Sequence, residues 1–361
     1  MQSENTLDTG ISTAPPPKPS KSNRLIWVHA LTFLLGFAIL AFVIYRIGLP
    51  DLMAMISQVG WGFLVIIALN ITRHFLRATS LYRAVHPEHR NFKYRNAVAA
   101  RFGGEAMTAV SFAGPFLADA TKAILLKKDT SLTQSTSAVI IDNFLYYLTV
   151  ILIVLGGVAA LLLLFGNRGT TVNRALLAIV IVAILLFTGL ILALVFRVKP
   201  FTRIIMFLEG RNIAPHFILK RKQNLHAIEK NVFHFYHDRR KDFFIVFGIS
   251  MSVHVISVAE VFSALTFLGY RPFVSTAFII ESLTKVINAT FSFIPGAIGA
   301  YEGGNGIILA TLGYTTAVGV ALGLVRRGAI IVSTLIGVAI LIWRTAERSS
   351  KQLAKSDDKP V

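Results

Sequence analysis

Cysteine is absent from the 361-residue chain, and charged residues are scarce at 15%. The first absence excludes disulfides, thiolate metal sites and a cysteine nucleophile. The second is unlike a soluble domain, in which about 25% of residues are charged. Hydrophobic residues instead make up 54% of the chain, and the mean hydropathy is +0.65. The composition therefore predicts a membrane protein.

Long apolar runs define the predicted spans, because about 20 apolar residues cross a bilayer core as a helix. Less regular hydrophobic stretches cover 59–82, 96–118 and 273–312. We predict an all-α polytopic membrane protein with six to ten crossings. The number is a range because charge counting does not distinguish broken segments that dip into the membrane from hairpins that cross it fully. The five clean runs are Trp27–Ile47, Asn143–Phe165, Ala175–Phe196, Phe243–Leu268 and Thr316–Trp343.

Basic residues predict the orientation in a cytoplasmic membrane. Loop 197–242 holds 11 Lys and Arg, both ends of the chain are also basic, and Lys122, Lys127 and Lys128 are counted on the same side. The positive-inside rule therefore places this loop and both termini in the cytoplasm. We expect residues 1–26 to be a disordered tail and 344–361 a basic tail. The basic residues flank spans instead of forming one soluble patch, so nucleic-acid binding is not expected.

Loop 197–242 contains apolar residues at helical spacing with basic residues around them. This pattern fits an amphipathic helix on an anionic leaflet, or a linker helix packed on the membrane domain. Its four histidines have no metal-site spacing, so no metal is expected. The apolar residues are Ile218, Leu225, Ile228, Val232, Phe235 and Tyr236, and the basic ones are Lys220, Arg221, Lys222 and Lys230.

An internal repeat appears when Pro115 is placed on Pro295. Fourteen and ten residues before Pro115 lie Arg101 and Glu105; at the same offsets before Pro295 lie Glu281 and Lys285. Each copy therefore predicts an i,i+4 ion pair, with the signs reversed between the copies.

The repeat predicts two units of three elements, 59–165 and 243–343, in opposite membrane orientation. The middle element of each unit would be broken and re-entrant, a common transporter plan. Irregular backbone at this depth is tolerated only inside protein or beside water, so the breaks are candidate gates. The gate residues are Gly114, Pro115, Pro295, Gly296 and Gly299.

Twelve ionisable residues, six of each sign, fall inside the apolar segments. Each would be costly facing lipid, so we expect them to pair or to line a wet cavity. Arginines there suit phosphate, which they bind bidentately, although the two i,i+4 pairs could simply neutralise each other. Arg73 and Arg77 could instead snorkel to the cytoplasmic face. With Lys122, the predicted substrate-binding residues are Arg73, Arg77, Arg101, Glu105, Asp119, Asp142, Glu260, Glu281, Lys285, Glu302, Arg326 and Arg327.

The segment PGAIGAYEGGNGIILATLGYTTAVGVALGLVRRGAII resembles the C-terminal signature of flippase-like membrane proteins. Two further segments, RHFLRATSLYRAV and GPFLADATKAILLKKDTSLTQSTSAVIIDNFLYY, resemble earlier family blocks. They depart from them at Lys122 and Asn143, where the family pattern has arginine. The resemblance covers residues 27–343, and its C-terminal signature falls on Pro295, Gly296, Gly299, Glu302, Gly313 and Arg326.

This family includes the membrane domain of lysylphosphatidylglycerol synthase, the multiple peptide resistance factor. The resemblance implies movement of a phospholipid or lipid-linked anionic headgroup between leaflets. Alternatives are a secondary transporter of a small anionic solute, or a non-transporting partner of a lipid-modifying enzyme. No transferase domain or catalytic constellation is visible, so we expect no enzyme and no cofactor. Homo-oligomers and a lipid-synthesis enzyme are the other expected partners.

Overall fold

A computed structural model describes residues 48–357 apart from 91, 111–113, 128–129, 166–169, 197–199 and 212–221, together with 38, 40–42 and 44–46. In this part of the chain all regular structure is helical. The α-helices are α1 Leu49–Val59, α2 Gly62–Ala84, α3 Tyr94–Val110, α4 Gly114–Leu126, α5 Leu132–Phe165, α6 Thr170–Val195, α7 Pro200–Gly210, α8 Lys222–Asp238, α9 Arg240–Phe267, α10 Val274–Thr290, α11 Ala300–Thr311 and α12 Thr316–Asp357.

Four of the described helices are long and apolar enough to cross a membrane. They provide the segments Leu132–Leu164, Asn173–Leu192, Arg240–Phe267 and Thr316–Ala346. A fifth span would result if Leu40–Arg46 and α1, which meet at 96°, act as one broken span. These findings confirm an all-α polytopic membrane protein, while the number of crossings stays a prediction. Residues 1–26 and most of Trp27–Ile47 lie outside the described residues.

Two helical hairpins occupy the places predicted for the broken segments. Helices α3 and α4 form the first, and α10 and α11 form the second. At about 1.5 Å per residue their arms are about 18–25 Å long, shorter than a bilayer core of about 30 Å. The second break contains a 3₁₀ turn, Pro295–Ala297. Gly296 (φ 60°) and Gly299 (φ 77°) adopt the left-handed conformation that glycine tolerates best.

The two units pack on each other in matching ways. Helix α2 contacts its counterpart α9, α5 crosses α10, and α12 crosses α3. Each long helix carries a glycine at its crossing, Gly157 facing Ser282 and Gly337 facing the backbone of Phe102. Small residues allow such close helix approach within membranes. The order of the helices is therefore the same in the two units, whereas their opposite membrane orientation stays a prediction.

Two helices extend beyond their predicted apolar runs. Helix α5 begins eleven residues before the predicted Asn143, in the polar stretch LTQSTSAVIID. Two of its hydroxyls bond to the helix backbone, since Ser135 donates to the Leu132 carbonyl and Ser137 to that of Thr133. Helix α12 continues through Asp357, so the segment predicted as a tail from 344 begins inside a helix.

The loop 197–242 contains α7 and α8, and α8 packs on α5 and α9. Ile228 and Phe235, on the apolar face of α8, are buried against protein. This packing favours a linker helix on the membrane domain. Contact between the exposed Lys222 and Lys230 and an anionic leaflet stays a prediction. Ile218, Lys220 and Arg221 lie outside the described residues.

Candidate functional site

A polar cavity of about 290 Å³ lies between the two units. Helices α2 to α5 and α9 to α12 all contribute to its wall, so both hairpins border it. Its lysine and arginine lining comprises six bases, Arg73, Arg77, Arg101, Lys122, Lys285 and Arg326, and its carboxylate lining three acids, Glu105, Asp119 and Glu281.

In the first unit, three of the four Lys and Arg residues of the cavity wall each have their own acid. Arg77 binds Asp142 at 2.9 Å and lies 4.1 Å from the ring centre of Tyr146. Arg101 binds Glu105 at 3.2 Å, which confirms the first predicted i,i+4 pair.

The third pair of the first unit links the hairpin to α5. Lys122 donates to Asp119 at 2.9 Å, and Asn143 donates to the other carboxylate oxygen at 2.7 Å. The charge count placed Lys122 with the cytoplasmic basic residues, but its side chain is buried in the cavity wall. Helix geometry explains this position, because Lys122 lies one turn after Asp119 on the same face of α4.

In the second unit, two carboxylates are shared by three bases, one of which, Arg73, comes from the first unit. Glu260 accepts from Arg73 at 2.7 Å and from Arg326 at 3.0 Å. Glu281 lies 2.9 Å from Arg326 and accepts from Lys285 at 2.7 Å, which confirms the second i,i+4 pair. Within the described residues the buried Nη1 of Arg326 has no hydrogen-bond acceptor. We refer to Arg73, Lys285, Arg326, Glu260 and Glu281 as the shared cluster.

The cavity therefore carries a surplus of positive charge. Five acids pair with its six bases in the described structure, and two of them, Asp142 and Glu260, lie behind the wall rather than on it. A buried cation is costly unless it is paired and hydrogen-bonded. An anion entering the cavity beside the shared cluster would balance this charge.

Glu302 and Arg327 stand apart from the cavity wall. Arg327 binds the Glu302 carboxylate and donates to the Gly296 carbonyl at 2.8 Å. The other oxygen of Glu302 accepts from the Gly299 amide at 2.8 Å. Glu302 therefore caps α11 and ties the break in the second hairpin to α12. The sequence left Arg77, Arg326 and Arg327 as candidate partners of Glu302, and the structure shows Arg327 in that place.

Four arginines have no acid one turn away on their own helix, and each binds an acid on another helix. They are Arg73, Arg77, Arg326 and Arg327. Arg73 and Arg77 bind Glu260 and Asp142, so neither extends to the surface to snorkel. Of the gate residues, Pro115 lines the cavity, whereas Gly296 and Gly299 are held by Arg327 and Glu302. Gly114 begins α4.

Sequence reasoning missed several uncharged residues of the wall. Tyr146, Tyr147, Asn143 and Ser257 line the cavity, and Ser257 accepts a hydrogen bond from Arg73 at 3.1 Å. Helical spacing carried a signal for some of them. Asn143 and Tyr146 lie one and four residues after Asp142, and the i,i+4 spacing places Tyr146 on the face of Asp142.

The two buried histidines of the spans have structural partners. His254 lies 3.0 Å from the Thr149 hydroxyl and stacks on Tyr146 at 5.1 Å. His74 packs against Phe102. In the part of the chain that the structure describes, no three His, Asp or Glu residues are placed to hold a metal ion.

The family model of the lysylphosphatidylglycerol synthase TM region matches residues 29–337. This chain belongs to that family. The match covers the first repeat unit, all but the last six residues of the second, and every residue of the cavity wall. A search of curated proteins and a search of solved structures each returned no match. Membership in the lysylphosphatidylglycerol synthase TM region family agrees with the helical membrane architecture and points to a lipid-related role in the membrane.

Proposed function

We propose that this protein moves a lipid with an anionic headgroup between the leaflets of the cytoplasmic membrane. The observation that carries the proposal is the shared cluster, in which three bases have only two carboxylates. A headgroup phosphate would supply the missing negative charge and an acceptor for Arg326 Nη1. Guanidinium and ammonium groups both bind phosphate oxygens through strong, charge-assisted hydrogen bonds.

The size and walls of the cavity support a headgroup as its occupant. A volume of about 290 Å³ is at the small end of ligand sites, so the acyl chains would remain in the bilayer. The two hairpins border this volume from the two repeat units. In our proposal they form the gates, and the linked Glu302 and Arg327 hold the second hairpin in one shape.

A small anionic solute is the second candidate, because the shared cluster would bind its charge by the same chemistry. The absence of space for acyl chains within the cavity is compatible with this alternative. No chemical step is proposed for either candidate. A cytoplasmic position for both termini, with homo-oligomers or a lipid-synthesis enzyme as partners, remains part of the proposal.

Lys285→Gln provides the sharpest test of the shared cluster. The substitution leaves two bases and two acids, so the folded protein keeps a balanced buried cluster. We expect leaflet exchange of a fluorescent phospholipid in proteoliposomes to fall about tenfold or more, since a charged hydrogen bond contributes about 1.5–3 kcal/mol. Lys285→Arg, which keeps the charge, should retain most of the exchange.

Lys222→Gln is the matched control, because Lys222 does not line the cavity and forms an exposed ion pair with Glu209. It should exchange lipid at the wild-type rate. Equal exchange by Lys285→Gln and wild type, with unchanged melting, would mean that the shared cluster does not bind the headgroup. Counterflow of radiolabelled phosphate without lipid exchange would instead favour the small-anion alternative.

A further inference from the structure

A second polar pocket, of about 220 Å³, lies where α2 ends and α8 packs on the start of α5. It is separate from the central cavity and shares no lining residue with it. Its wall contains the bases Lys230 and Arg239 and three histidines, His86, His89 and His234. We refer to this site as the histidine pocket.

The three histidines come from two segments that the fold brings together. His86 and His89 flank the short turn after α2, and His234 lies on α8. The ring centre of His86 is 5.9 Å from that of His89 and 5.9 Å from that of His234. The sequence showed only that His226, His234 and His237 lie in one loop. It did not predict that His234 lies beside His86.

One acid, Glu88, lines the pocket, and two more, Asp238 and Asp242, lie beside its wall. Asp242 binds Arg239 at 2.6 Å and lies 3.7 Å from Arg83. Glu88 lies 3.7 Å from the His86 Nδ1 with an 81% exposed side chain. Asp238 is on α8, 3.4 Å from the His234 Nδ1, and is also exposed.

The fixed positive charge of the pocket comes from Lys230 and Arg239. Arg239 donates to the Arg83 carbonyl at 2.7 Å, so the end of α2 holds it in the wall. Lys230 is exposed and has no ion pair within the described residues. Asn231, which donates to Ser137 at 3.1 Å, adds an amide to the same wall.

We propose that the histidine pocket binds a phosphate- or sulfate-type dianion, and binds it more tightly when its histidines are protonated. Lys230 supplies the permanent charge, and the protonated His86 ring adds a further donor and a further positive charge. A lipid headgroup and a soluble phosphomonoester present the same chemistry. The inference does not depend on transport through the central cavity.

The direction of the pH effect follows from the surroundings of His86. Partial burial lowers the pKa of His86, and the positive charge of Arg239 lowers it further. The ring is therefore neutral near pH 7 in the empty pocket. A bound dianion favours the protonated ring, so binding takes up protons and strengthens as pH falls.

Calorimetric titration of the full chain in detergent with inorganic sulfate tests the inference. Sulfate stays a dianion across this pH range, so any pH dependence belongs to the protein. We expect the Kd to fall about tenfold between pH 7.5 and 5.5, which corresponds to about 1.4 kcal/mol. Lys230→Gln should weaken binding about tenfold, and His86→Gln should flatten the pH dependence.

Two variants on the same helix serve as controls. Lys222→Gln and His226→Gln make the same changes outside the pocket and should bind sulfate as wild type does. Lys285→Gln should also leave this binding unchanged, which separates the pocket from the central cavity. Equal affinity in Lys230→Gln and Lys222→Gln, or a Kd independent of pH, would overturn the inference.

Nanodiscs with phosphatidic acid distinguish the two sources of the dianion. If the pocket takes a lipid headgroup, phosphatidic acid should displace sulfate in wild type and have no effect on the residual binding of Lys230→Gln. If it takes a soluble anion, inorganic phosphate should compete and phosphatidic acid should not. Failure of both competitors would contradict the phosphate-type chemistry.

Discussion

The two repeat units place equivalent ion pairs with opposite signs. In the first unit, Arg77 on α2 binds Asp142 on α5; in the second, Glu260 on α9 binds Arg326 on α12. The same reversal relates the i,i+4 pairs on α3 and α10. The architecture is thus repeated while the charge pattern is inverted.

The units differ in how completely these charges are balanced. The first unit pairs three of its cavity bases, Arg77, Arg101 and Lys122, with one acid each. The second receives Arg73 from the first unit and then has three bases for two acids. The three pairs of the first unit are therefore neutral, whereas the shared cluster has one excess positive charge that an anion would balance.

The largest expected effect comes from swapping the i,i+4 pair of the second unit. Glu281→Lys with Lys285→Glu places a lysine against Arg326, whereas Glu281 itself binds both bases. Disrupting a buried ion pair costs about 3–5 kcal/mol, so we expect a large drop in melting temperature in detergent. The matched swap, Arg101→Glu with Glu105→Arg, keeps a partly exposed local pair and should cost about 1 kcal/mol or less. Equal losses of stability in the two swapped variants would contradict the difference in charge balance between the two units.

A smaller contrast is expected at the two hairpin acids. Glu302→Gln removes the partner of Arg327 from a fully buried site, and we expect a loss of about 3 kcal/mol. Asp119→Asn affects a carboxylate that is 38% exposed but leaves the buried Lys122 without its ion-pair partner, and it should cost about 2 kcal/mol. Chemical unfolding in micelles would measure both. A larger loss at Asp119 would show that the first hairpin, not the second, is the more firmly held.

The smallest contrast concerns the crossing glycines. Gly157→Ala and Gly337→Ala should each cost about 2 kcal/mol through overpacking. Ser282→Gly should restore most of the loss at Gly157, because the added methyl meets the Ser282 side chain. No side-chain change should rescue Gly337→Ala, since the obstacle is the Phe102 carbonyl. Thermal melting of the single and double variants would check both expectations, and rescue at neither site would mean that the crossings adjust by helix shifts.

Local sequence features predicted much of the fold. Apolar runs located α5, α6, α9 and α12, and the prolines located both breaks. The i,i+4 pairs were also predictable, because helix geometry alone brings such residues together. Helix ends were less predictable: α5 begins in a polar stretch whose hydroxyls bond to the helix backbone.

The candidate site was only partly predictable for a related reason. A charge in an apolar segment indicates that a partner exists, but not which helix provides it. Helix packing selected Arg327 for Glu302 and made Arg326 a partner of both Glu260 and Glu281. It also brought His86 to His234, which lie far apart in the chain.

By itself, the sequence determined that this chain is a helical membrane protein with a repeated, twice-broken plan, because hydropathy, proline and i,i+4 spacing act over a few helical turns. Only the tertiary structure decided which charges balance. Burial makes each carboxylate accept whichever bases the packed helices bring within hydrogen-bond distance. Three helices bring one base each, Arg73, Lys285 and Arg326, to the two carboxylates Glu260 and Glu281.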